Sequence, residues 1–530
     1  MKRLETPNWQ KNRQRRRKLW FDLMLTFLLI PLGVGGFYLF ENLFSRDGIT
    51  VTGSTIYVKA GGNLQSAIDR ANLGDTIILQ AGAPFVGSFV LPNKAGSEFI
   101  TIQSSELTKL PQDGVRVSPN DAALMPKILS IGIGEPAIKT APNAHHYRFV
   151  GIEFAPNNAD YIYNLVALGT DNQKAEEIPE NFEFDRCYLH PNAKGKTRRA
   201  VMLNSADTII KNSYIAGFAY KEEETQAIAG WNGSGGYKII NNYLEAGAEN
   251  ILFGGADPSI KNLVPTDIEI RNNLLTKPAE WRGSVTIKCT FELKNARNVR
   301  IIGNIIENSF DEMAIRLTVR NQNGTAPWSV VEDIVLQNNI IRNSGGGINF
   351  LGRDDAFPSA TMKRVQIINN LFDNLDAKKF GADGRFITIS GGEDITIANN
   401  TIFHDGNVIT AHGDATKKFV FRNNIFSFNN YGFNGGSGES LKEIFSKYFP
   451  GAIISDNVIV NGKNIPKSDI YVPPRNALVD GFNAVGFMNW QAGNYRLTAV
   501  SKFKNKGANG KDFGCDIDAL ELEIKKVQSK

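Results

Sequence analysis

The sequence predicts an all-β protein, a right-handed parallel β-helix with an N-terminal cap helix, preceded by one transmembrane helix. Between Asn212 and Asn457 a short phrase recurs nine times: an apolar residue, a polar residue, one or two Asn (Asp-Asn in the last copy), then further apolar residues. The last Asn of successive copies are 30, 31, 31, 35, 31, 30, 24 and 33 residues apart. Such a period indicates one supersecondary unit stacked many times. Segments around the Asn, such as Lys238–Leu244, alternate β-branched or aromatic residues with polar ones, which predicts short strands.

The recurring Asn predicts a ladder at one bend of each coil. Stacked coils place equivalent bends about 4.8 Å apart. Asn tolerates left-handed backbone angles, and its amide both donates and accepts, so each side chain can satisfy buried polar groups of the next coil. Two earlier segments, Arg148–Phe154 and Glu183–Leu189, fit the same register without Asn. We therefore expect the coil to begin before Asn212 and the Asn residues to be structural.

The first 55 residues predict a membrane anchor. Residues 1–18 carry a formal charge of +7 and the rest of the chain carries −2, so the basic character belongs to this tail. The next segment, Leu19–Phe40, has 22 residues with one charge and is long enough to span a bilayer. Its length exceeds the apolar run of a signal peptide, and the flanking charges orient the N-terminus to the cytoplasm. We expect an uncleaved single-pass anchor, a linker at 41–55, a body outside the cytoplasmic membrane and no nucleic-acid partner.

The folded body is expected over residues 56–520, with a polar tail at 521–530. Apolar residues near its start recur at i, i+3, i+4 and i+7, which predicts a short helix with one apolar face, and a solenoid needs such a cap over its first coil. These residues are Leu64, Ala67, Ile68 and Ala71. The three cysteines are widely separated and lack the spacing of metal ligands, so we expect neither a disulfide framework nor a cysteine metal site. They are Cys187, Cys289 and Cys515.

From the cap onward the chain resembles the pectate-lyase-like superfamily. The segment Asn63–Leu79 is similar to the N-terminal cap and first strand of that superfamily, and Gly82–Pro92 is similar to the stretch that follows. At the other end, Asn494–Leu497 and Gly510–Leu520 resemble its closing strands. The resemblance covers about residues 56–520 and is closest to secreted bacterial β-helix proteins. It implies the fold, whereas the superfamily includes lyases, hydrolases, esterases, epimerases and adhesins.

The catalytic motifs of the superfamily match this chain poorly. The hydrolase branch pairs acid and base carboxylates, and the pieces at Arg353–Asp355 and Ala411–Asp414 lack its Asn-Thr-Asp element. The lyase branches use a Lys or Arg base with a carboxylate-bound Ca²⁺ that acidifies the proton beside a uronate carboxyl. No lyase motif matches residue by residue. The resemblance therefore leaves the reaction open.

The expected stacking of strands points to a candidate binding site more clearly than sequence motifs do, because it groups charged residues along one edge of the coil. The strands that follow the Asn bends are predicted at 251–257, 285–289, 314–320, 348–355 and 408–414, and several of the loops after them are long. Insertions on one face commonly form the binding face of a solenoid. Charged residues expected along this edge are Asp257, Lys288, Arg316, Arg320, Arg353, Asp354, Asp355, His412 and Asp414.

These residues are assigned three hypothetical roles. The candidates for catalysis are Arg353, His412, Arg320 and Lys288. The candidates for substrate binding are Asp354, Asp355, Arg316, Asp414 and Trp328. The candidates for a metal site are Asp257, Asp354 and Asp355, with Ca²⁺ as a cofactor that the sequence permits without requiring it. We expect Arg320, Arg353, Asp354 and His412 to lie close enough to contact one ligand.

The sequence thus predicts a membrane-anchored β-helix that binds or cleaves a polysaccharide, with a lyase of uronate-containing glycans as the leading hypothesis and a glycoside hydrolase as another. The alternative is a non-catalytic surface or envelope protein that serves adhesion or scaffolding. A catalytic site concentrates charge over a few neighbouring coils, whereas an adhesin spreads modest contacts over many. The expected grouping of charge favours the first interpretation.

Overall fold

The computed structural model describes residues 47–192, 196–429, 431–436, 438–461, 475–507 and 510–528. Within these residues, no helix is long and apolar enough to cross a membrane. The predicted basic tail, the anchor Leu19–Phe40 and the first part of the linker lie outside them.

Two sheets wind around one axis as a parallel β-helix. The first sheet has 15 strands, all parallel except the initial hairpin. Its strands are Ile49–Thr52, Thr55–Val58, Thr76–Leu79, Ile100–Ser104, His145–Val150, Glu180–Asp185, Ala206–Lys211, Lys238–Ile240, Thr266–Arg271, Ala296–Ile302, Val331–Gln337, Lys363–Ile368, Glu393–Ala398, Lys417–Arg422 and Ile453–Ser455.

The second sheet contributes the remaining faces of each coil with 24 parallel strands. Its strands are Pro84–Val86, Phe89–Leu91, Lys127–Ser130, Ile138–Thr140, Glu153–Pro156, Tyr161–Leu168, Tyr188–Leu189, Lys196–Leu203, Tyr214–Phe218, Gln226–Gly230, Tyr243–Ala246, Glu249–Phe253, Leu274–Thr276, Phe291–Leu293, Ile305–Thr318, Ile340–Leu351, Leu371–Leu375, Ile387–Ser390, Thr401–His404, Ile409–Ala411, Ile425–Ser427, Phe433–Asn434, Val458–Val460 and Ala477–Val479.

The core runs along the axis as columns of like residues. Strand register in the first sheet stacks one buried apolar side chain on the next over eight coils, and every member of this column is buried. The column consists of Ile239, Ile270, Ile301, Leu336, Ile367, Ile397, Phe421 and Ile454. The prediction of stacked coils that begin before Asn212 is confirmed.

The Asn ladder is confirmed. Where two Asn are adjacent, the first provides the left-handed backbone and the second provides the hydrogen bonds between coils. The first of the pair adopts the left-handed conformation, with φ of 55° at Asn241 and 57° at Asn338. The side-chain oxygen of the second accepts hydrogen bonds from the preceding coil: Oδ1 of Asn273 accepts from the backbone N of Asn242 at 2.8 Å and from its Nδ2 at 3.0 Å. The same bonds repeat up to Asn476. The polar ladder therefore stays fully paired inside the coil.

The helices are short and lie outside the coil. Helix α1 spans Leu64–Arg70, is capped by the Asn63 side chain and buries its apolar face over the first coil, which confirms the predicted cap. Helices α2 (Ala377–Phe380) and α3 (Leu441–Tyr448) sit in loops. Six 3₁₀ turns are found at Leu107–Lys109, Pro119–Leu124, Ala175–Glu177, Ala279–Trp281, Phe482–Val485 and Trp490–Ala492 in the described residues.

The C-terminal region contains one of the two expected closing strands. Asn494–Leu497 is a strand, and it pairs antiparallel with Phe487–Asn489. Gly510–Leu520 and the supposed polar tail form a turn followed by helix α4 (Ile517–Gln528), because every third or fourth residue of this segment is apolar. Leu520, Ile524 and Val527 of α4 are buried in a side cluster with Ile305 and Leu371 of the coil.

The register of the second sheet corrects the predicted stacking of strands. Phe291, and no residue of the predicted strand 285–289, lies opposite Ile251, because residues 277–290 form a looped insertion before the strand resumes. The coil at Ile387–Ser390, opposite Ile348, was absent from the predicted stack. Loops of unequal length cause both errors.

Candidate functional site

An elongated cleft of about 700 Å³ runs along the outer face of the second sheet. Its wall is formed by loops and its floor by outward-facing side chains of successive strands. Six cationic and six acidic side chains line it or lie directly beneath it. The cations are Arg198, Arg199, Lys288, Lys294, Arg316 and Arg320. Five of the acids line the surface itself, Asp171, Glu224, Asp257, Glu292 and Asp355, and the sixth, Glu249, is fully buried directly beneath it, in contact with Lys288.

Strand register aligns the polar residues of the floor. Gln226 lies opposite Glu249 on the next coil, and Glu292 lies opposite Arg316. Because the strands are parallel, equivalent positions on neighbouring coils lie about 4.8 Å apart. Register places Glu292 beside Arg316 and opposite Leu252, and the Glu249 side chain reaches from the same coil as Leu252 to bring its carboxylate within 4.8 Å of that of Glu292.

Two buried carboxylates and one lysine form the centre of the floor. Glu249 is 0% exposed and Glu292 is 1% exposed. The Lys288 Nζ lies 2.8 Å from the Glu249 carboxylate and 3.7 Å from that of Glu292, with Glu224 at 3.3 Å. The Gln226 amide donates to Glu249 Oε2 at 2.9 Å. Buried carboxylates are retained only when neighbouring groups balance their charge, and Lys288 supplies that charge here.

The pKa values of the two carboxyls are shifted in opposite directions. Burial favours a raised pKa at Glu249, but the Lys288 ammonium and the Gln226 amide outweigh it and lower the pKa. At Glu292, burial together with the charge of Glu249 raises the pKa despite the nearby lysines. Lys288 loses some stabilisation of its charge by burial, but Glu249 and Glu292 raise its pKa overall. Lys288 therefore stays charged, whereas Glu292 takes up a proton more readily than Glu249.

The donors around this centre fit a hard cation. Among the described buried side chains, Gln226 Oε1, Thr290 Oγ1 and Glu292 Oε2 have no hydrogen-bond partner, whereas Glu249 Oε1 lies 2.8 Å from the Lys288 ammonium. Carboxylate and amide oxygens are the ligands that Ca²⁺ prefers, and an ion bound here would take the place of that ammonium on Glu249. Within the described part of the chain, one group of three potential ligands comes together, Glu249, Cys289 and Glu292. Burial raises the pKa of the Cys289 thiol well above its ordinary value, so the two glutamates and Gln226 would hold the ion.

The three carboxylates predicted as metal ligands are engaged elsewhere. Asp257 Oδ2 accepts hydrogen bonds from Asn323 N, Thr325 N and Thr325 Oγ1, which ties the 321–328 loop to the coil. Asp354 accepts from backbone N–H groups and pairs with Arg320, and Asp355 also pairs with Arg320. They do not form a ligand cluster in the described part of the chain. Turn N–H groups and Arg320 take the oxygens of Asp354, Asp355 pairs with Arg320, and Asp257 keeps one buried oxygen, Oδ1, without a partner.

The cleft brings together some of the predicted site residues and leaves others outside. Asp257, Lys288, Arg316, Arg320, Asp355 and His412 all line it. Arg353 instead donates to Thr361 Oγ1 at 2.6 Å, and the Trp328 indole donates to the Leu263 carbonyl at 3.1 Å. Asp354 lies behind Arg320, at 3.3 Å from its guanidinium, and Asp414 is not part of the lining. Of the four residues expected on one ligand, Arg320 and His412 share the cleft.

Several residues of the site were not predicted from the sequence, chiefly Glu292, Lys294, Arg199 and Trp231 of the lining and the buried Glu249 beneath it. Glu292 stands between two apolar residues of a short strand, Phe291–Leu293, a position that predicts an outward side chain on an exposed face. The correct register would have shown this signal. Glu249 opens a strand in which polar Asn250 and then three apolar residues follow it, so no alternation marks its position.

Lys294 and Arg320 occupy the wall beside the buried centre. Lys294 follows the strand that carries Glu292, and its nearest carboxylate oxygen, on Glu292, is 3.8 Å away. The backbone N of Arg320 donates to the Lys294 carbonyl at 3.0 Å, which fixes the two residues on adjacent coils. Arg316 pairs with Glu312 through Nη2, while its buried Nε has no hydrogen-bond partner. The site thus offers one loosely paired lysine and one guanidinium N–H for a ligand.

No protein-family model matches the chain, and no curated protein matches it. Among solved structures, it is similar to the PL6 family alginate lyase AlyGC, with a TM-score of 0.47 and 13% identity over 80% of this chain. The match covers 53% of AlyGC, so the chain spans about half the length of that relative.

Two further solved structures show similarity of the same order. The PL6 family polysaccharide lyase Pedsa3628 from Pseudopedobacter saltans matches with a TM-score of 0.46 and 13% identity, over 78% of this chain and 94% of that one. The Dettilon tailspike protein matches with a TM-score of 0.39 and 10% identity, over 84% and 73%. At this distance the similarities carry no argument about what this chain binds.

Proposed function

We propose that this protein binds an acidic polysaccharide in the cleft and cleaves it by β-elimination beside a uronate carboxyl. The observation that carries the proposal is the convergence of Lys288, Lys294 and Arg316 on the buried pair Glu249 and Glu292 in one open cleft. An open groove admits an extended polymer. Guanidinium and ammonium groups favour a carboxylate ligand over a neutral sugar.

The cations at the floor would neutralise the carboxylate of the bound sugar. Arg316 Nε lacks a partner and Lys288 is held charged by the glutamates, so both can face a uronate carboxylate. Neutralising that group acidifies the adjacent C–H, which is the difficult part of the reaction. A Ca²⁺ ion held by Glu249, Glu292 and Gln226 would supply the same charge neutralisation when bound.

Lys294 is the best-placed proton acceptor. Lys288 is paired to three carboxylates and keeps its proton, whereas Lys294 has one carboxylate at 3.8 Å. The Lys294 side chain, as general base, takes the C5 proton, the electron pair forms the C4–C5 double bond, and the C4–O bond breaks. Arg320 stabilises the departing oxygen, which takes its proton from water in the open cleft. This assignment gives the role of base to Lys294, a residue outside the predicted catalytic set of Arg353, His412, Arg320 and Lys288, and leaves Arg353 without a catalytic role.

The first test measures cleavage by the full-length protein. Alginate, polygalacturonate and neutral dextran are incubated with it, with Ca²⁺ or with a chelator, and the ultraviolet absorbance of the new double bond is followed. We expect product from a uronate polymer alone. Lys294→Ala should lower the rate by a factor of about 100 or more, because proton transfer to a positioned base contributes that much. Arg320→Ala should also lower it.

The matched control is Arg353→Ala, which removes a neighbouring arginine outside the cleft and should retain wild-type activity. Melting temperatures of all variants exclude loss of fold. Absence of unsaturated product from every uronate polymer would refute the lyase proposal, and binding without cleavage would support the non-catalytic alternative. A normal rate for Lys294→Ala would remove that residue from the mechanism.

A further inference from the structure

Arg199, at one end of the cleft, is a buried guanidinium with no carboxylate in ion-pair contact; Asp171, which lines the same cleft, acts on it only from a longer distance. The residue is 7% exposed, and its Nε and Nη1 have no hydrogen-bond partner. Among the described residues, no carboxylate oxygen lies within 4.0 Å of it, although its neighbour Arg198 approaches Glu223 at 3.5 Å. Burying a charge is costly unless a partner compensates it. An unpaired guanidinium that lines an open cleft is therefore suited to an anionic ligand.

Aromatic rings hold Arg199 in place. Its guanidinium carbon lies 5.0 Å from the centre of the Tyr163 ring and 4.8 Å from that of Trp231. The backbone N of Trp231 donates to Asn204 Oδ1, and its indole packs on Ala167 and Met202. Contact with two rings orients the planar group and leaves its N–H edge for a ligand. Tyr163 is partly exposed and presents its ring beside this edge.

Register fixes the distance between Arg199 and the buried centre. Arg199 lies opposite Gln226, and Gln226 lies opposite Glu249. Arg199 is therefore two coils from Glu249, about 10 Å along the axis. An extended glycan chain bound at Glu249 and Lys288 would place a different sugar residue beside Arg199.

We infer that Arg199, with Tyr163 and Trp231, is a second anion-binding subsite that holds the carboxylate of another uronate residue of the same chain. This inference rests on the proposed function and deepens it, because it makes the protein selective for a chain that carries charge on residues other than the one attacked. A sulfate ester offers similar oxygen acceptors, so sulfated sugar is the competing ligand.

The test measures binding without cleavage. Full-length protein carrying Lys294→Ala is titrated calorimetrically with a uronate tetrasaccharide, with the same tetrasaccharide after reduction of its carboxyls, and with a sulfated neutral tetrasaccharide. Adding Arg199→Met, which keeps the apolar contact with the rings, should weaken binding of the uronate ligand about tenfold or more and leave that of the reduced ligand unchanged. Arg342→Met, which removes an arginine paired with Glu307 outside the cleft, is the matched control and should change neither.

The outcomes separate the subsite from the reaction. Equal binding of the uronate ligand by the Arg199→Met protein would overturn the inference even if the wild type is a lyase. Arg199-dependent binding in a protein that cleaves no polymer would refute the lyase proposal and leave the subsite standing. Dependence on Arg199 for the sulfated ligand alone would overturn the carboxylate assignment. The melting temperature should not fall in Arg199→Met, and a fall with equal loss of both ligands would show a structural role.

Discussion

The buried Lys277 ammonium holds the turn that positions the Glu249 carboxylate. Its Nζ donates to the carbonyls of Ala246, Gly247 and Ala248 and to the side chain of Asn250. These acceptors form the turn that precedes and surrounds Glu249. Burial lowers the pKa of Lys277 to about 8, so the four hydrogen bonds compensate only part of its desolvation. The turn that carries the central carboxylate is therefore held from inside the coil.

His404 predicts a specific loss of stability in acid. Burial lowers its pKa to about 4, and its Nε2 has no hydrogen-bond partner. In the unfolded chain this imidazole binds a proton near pH 6.5, whereas in the folded chain it does so only at about pH 4. His404 therefore stabilises the fold above pH 6.5, and this contribution is lost as the pH falls to 4. The shift corresponds to about 3 kcal/mol.

The measurement compares melting temperature at pH 7 and near pH 4 for wild type and His404→Phe. The variant should lose less stability across this range, whatever its stability at pH 7, because its side chain does not titrate. An identical decline in both proteins would show that other groups account for the acid dependence.

At the scale of structural elements, the bend of each coil combines a conformational role and a hydrogen-bonding role in adjacent residues. Asn338 supplies the left-handed backbone at φ 57°, and Asn339 links its own coil to the coils before and after it. The Asn339 side chain accepts from Asn304 and donates to the carbonyls of Ile301 and Gln337. Because it is completely buried, water cannot replace these bonds.

Asn339→Leu should therefore destabilise the protein by about 3 kcal/mol, since buried N–H and C=O groups on two coils lose their partners. The matched control is Asn338→Gly, which keeps the left-handed backbone and should cost less than about 1 kcal/mol. Chemical denaturation and melting temperature of both variants test the difference. Equal effects would show that the second Asn has no special part in the ladder.

Loops decide where the polar side chains of the second sheet meet. The insertion at 277–290 carries Lys288 back over the cleft to Glu249, and the 321–328 loop is fastened by Asp257. Such loops leave the core columns unchanged, because the strands on either side resume the same register. The elements thus separate a regular scaffold from an irregular binding face.

At the scale of the whole molecule, helix α4 returns along the side of the coil and bridges several turns of it. Asn272 Nδ2 donates to the Glu523 carbonyl, and the backbone N of Asp516 donates to Asn369 Oδ1. These two Asn belong to coils far apart in the ladder. This C-terminal segment therefore covers the left-handed bends at Asn272 and Asn369, which are buried beneath it.

The charge pattern around Leu19–Phe40 predicts the topology of the whole chain. We propose an uncleaved anchor with the N-terminus in the cytoplasm and the β-helix on the other side, because eight basic residues precede the segment and few follow it. Mass spectrometry of protein purified from membranes should find the intact N-terminal sequence. A mature N-terminus just after Gly36, or recovery of the protein in the soluble fraction, would contradict the anchor.

The sequence by itself determined the repeating scaffold, since its causes are local. The alternation of apolar and polar residues sets strands, and an Asn at a fixed point in each period sets a left-handed bend and a paired ladder. Helix α1 was predictable for the same reason, because its apolar spacing lies within eight residues. Helix α4 was missed because resemblance to closing strands was given more weight than the helical spacing of Leu520, Ile524 and Val527.

Only the tertiary structure decided the site. Glu249, Lys288 and Glu292 meet because the loop before Phe291 folds back and brings Lys288 to the two carboxylates. The number of residues between Glu249 and Glu292 does not by itself determine which positions of the two strands lie opposite each other. The same holds for Arg199, whose lack of a carboxylate in ion-pair contact is a property of its surroundings. The hydrogen bonds of the Asn ladder follow from one residue type at one position of each repeat. The balance of charges in the cleft depends instead on side chains from several coils at once. That is why the β-helix follows from the sequence and its binding face does not.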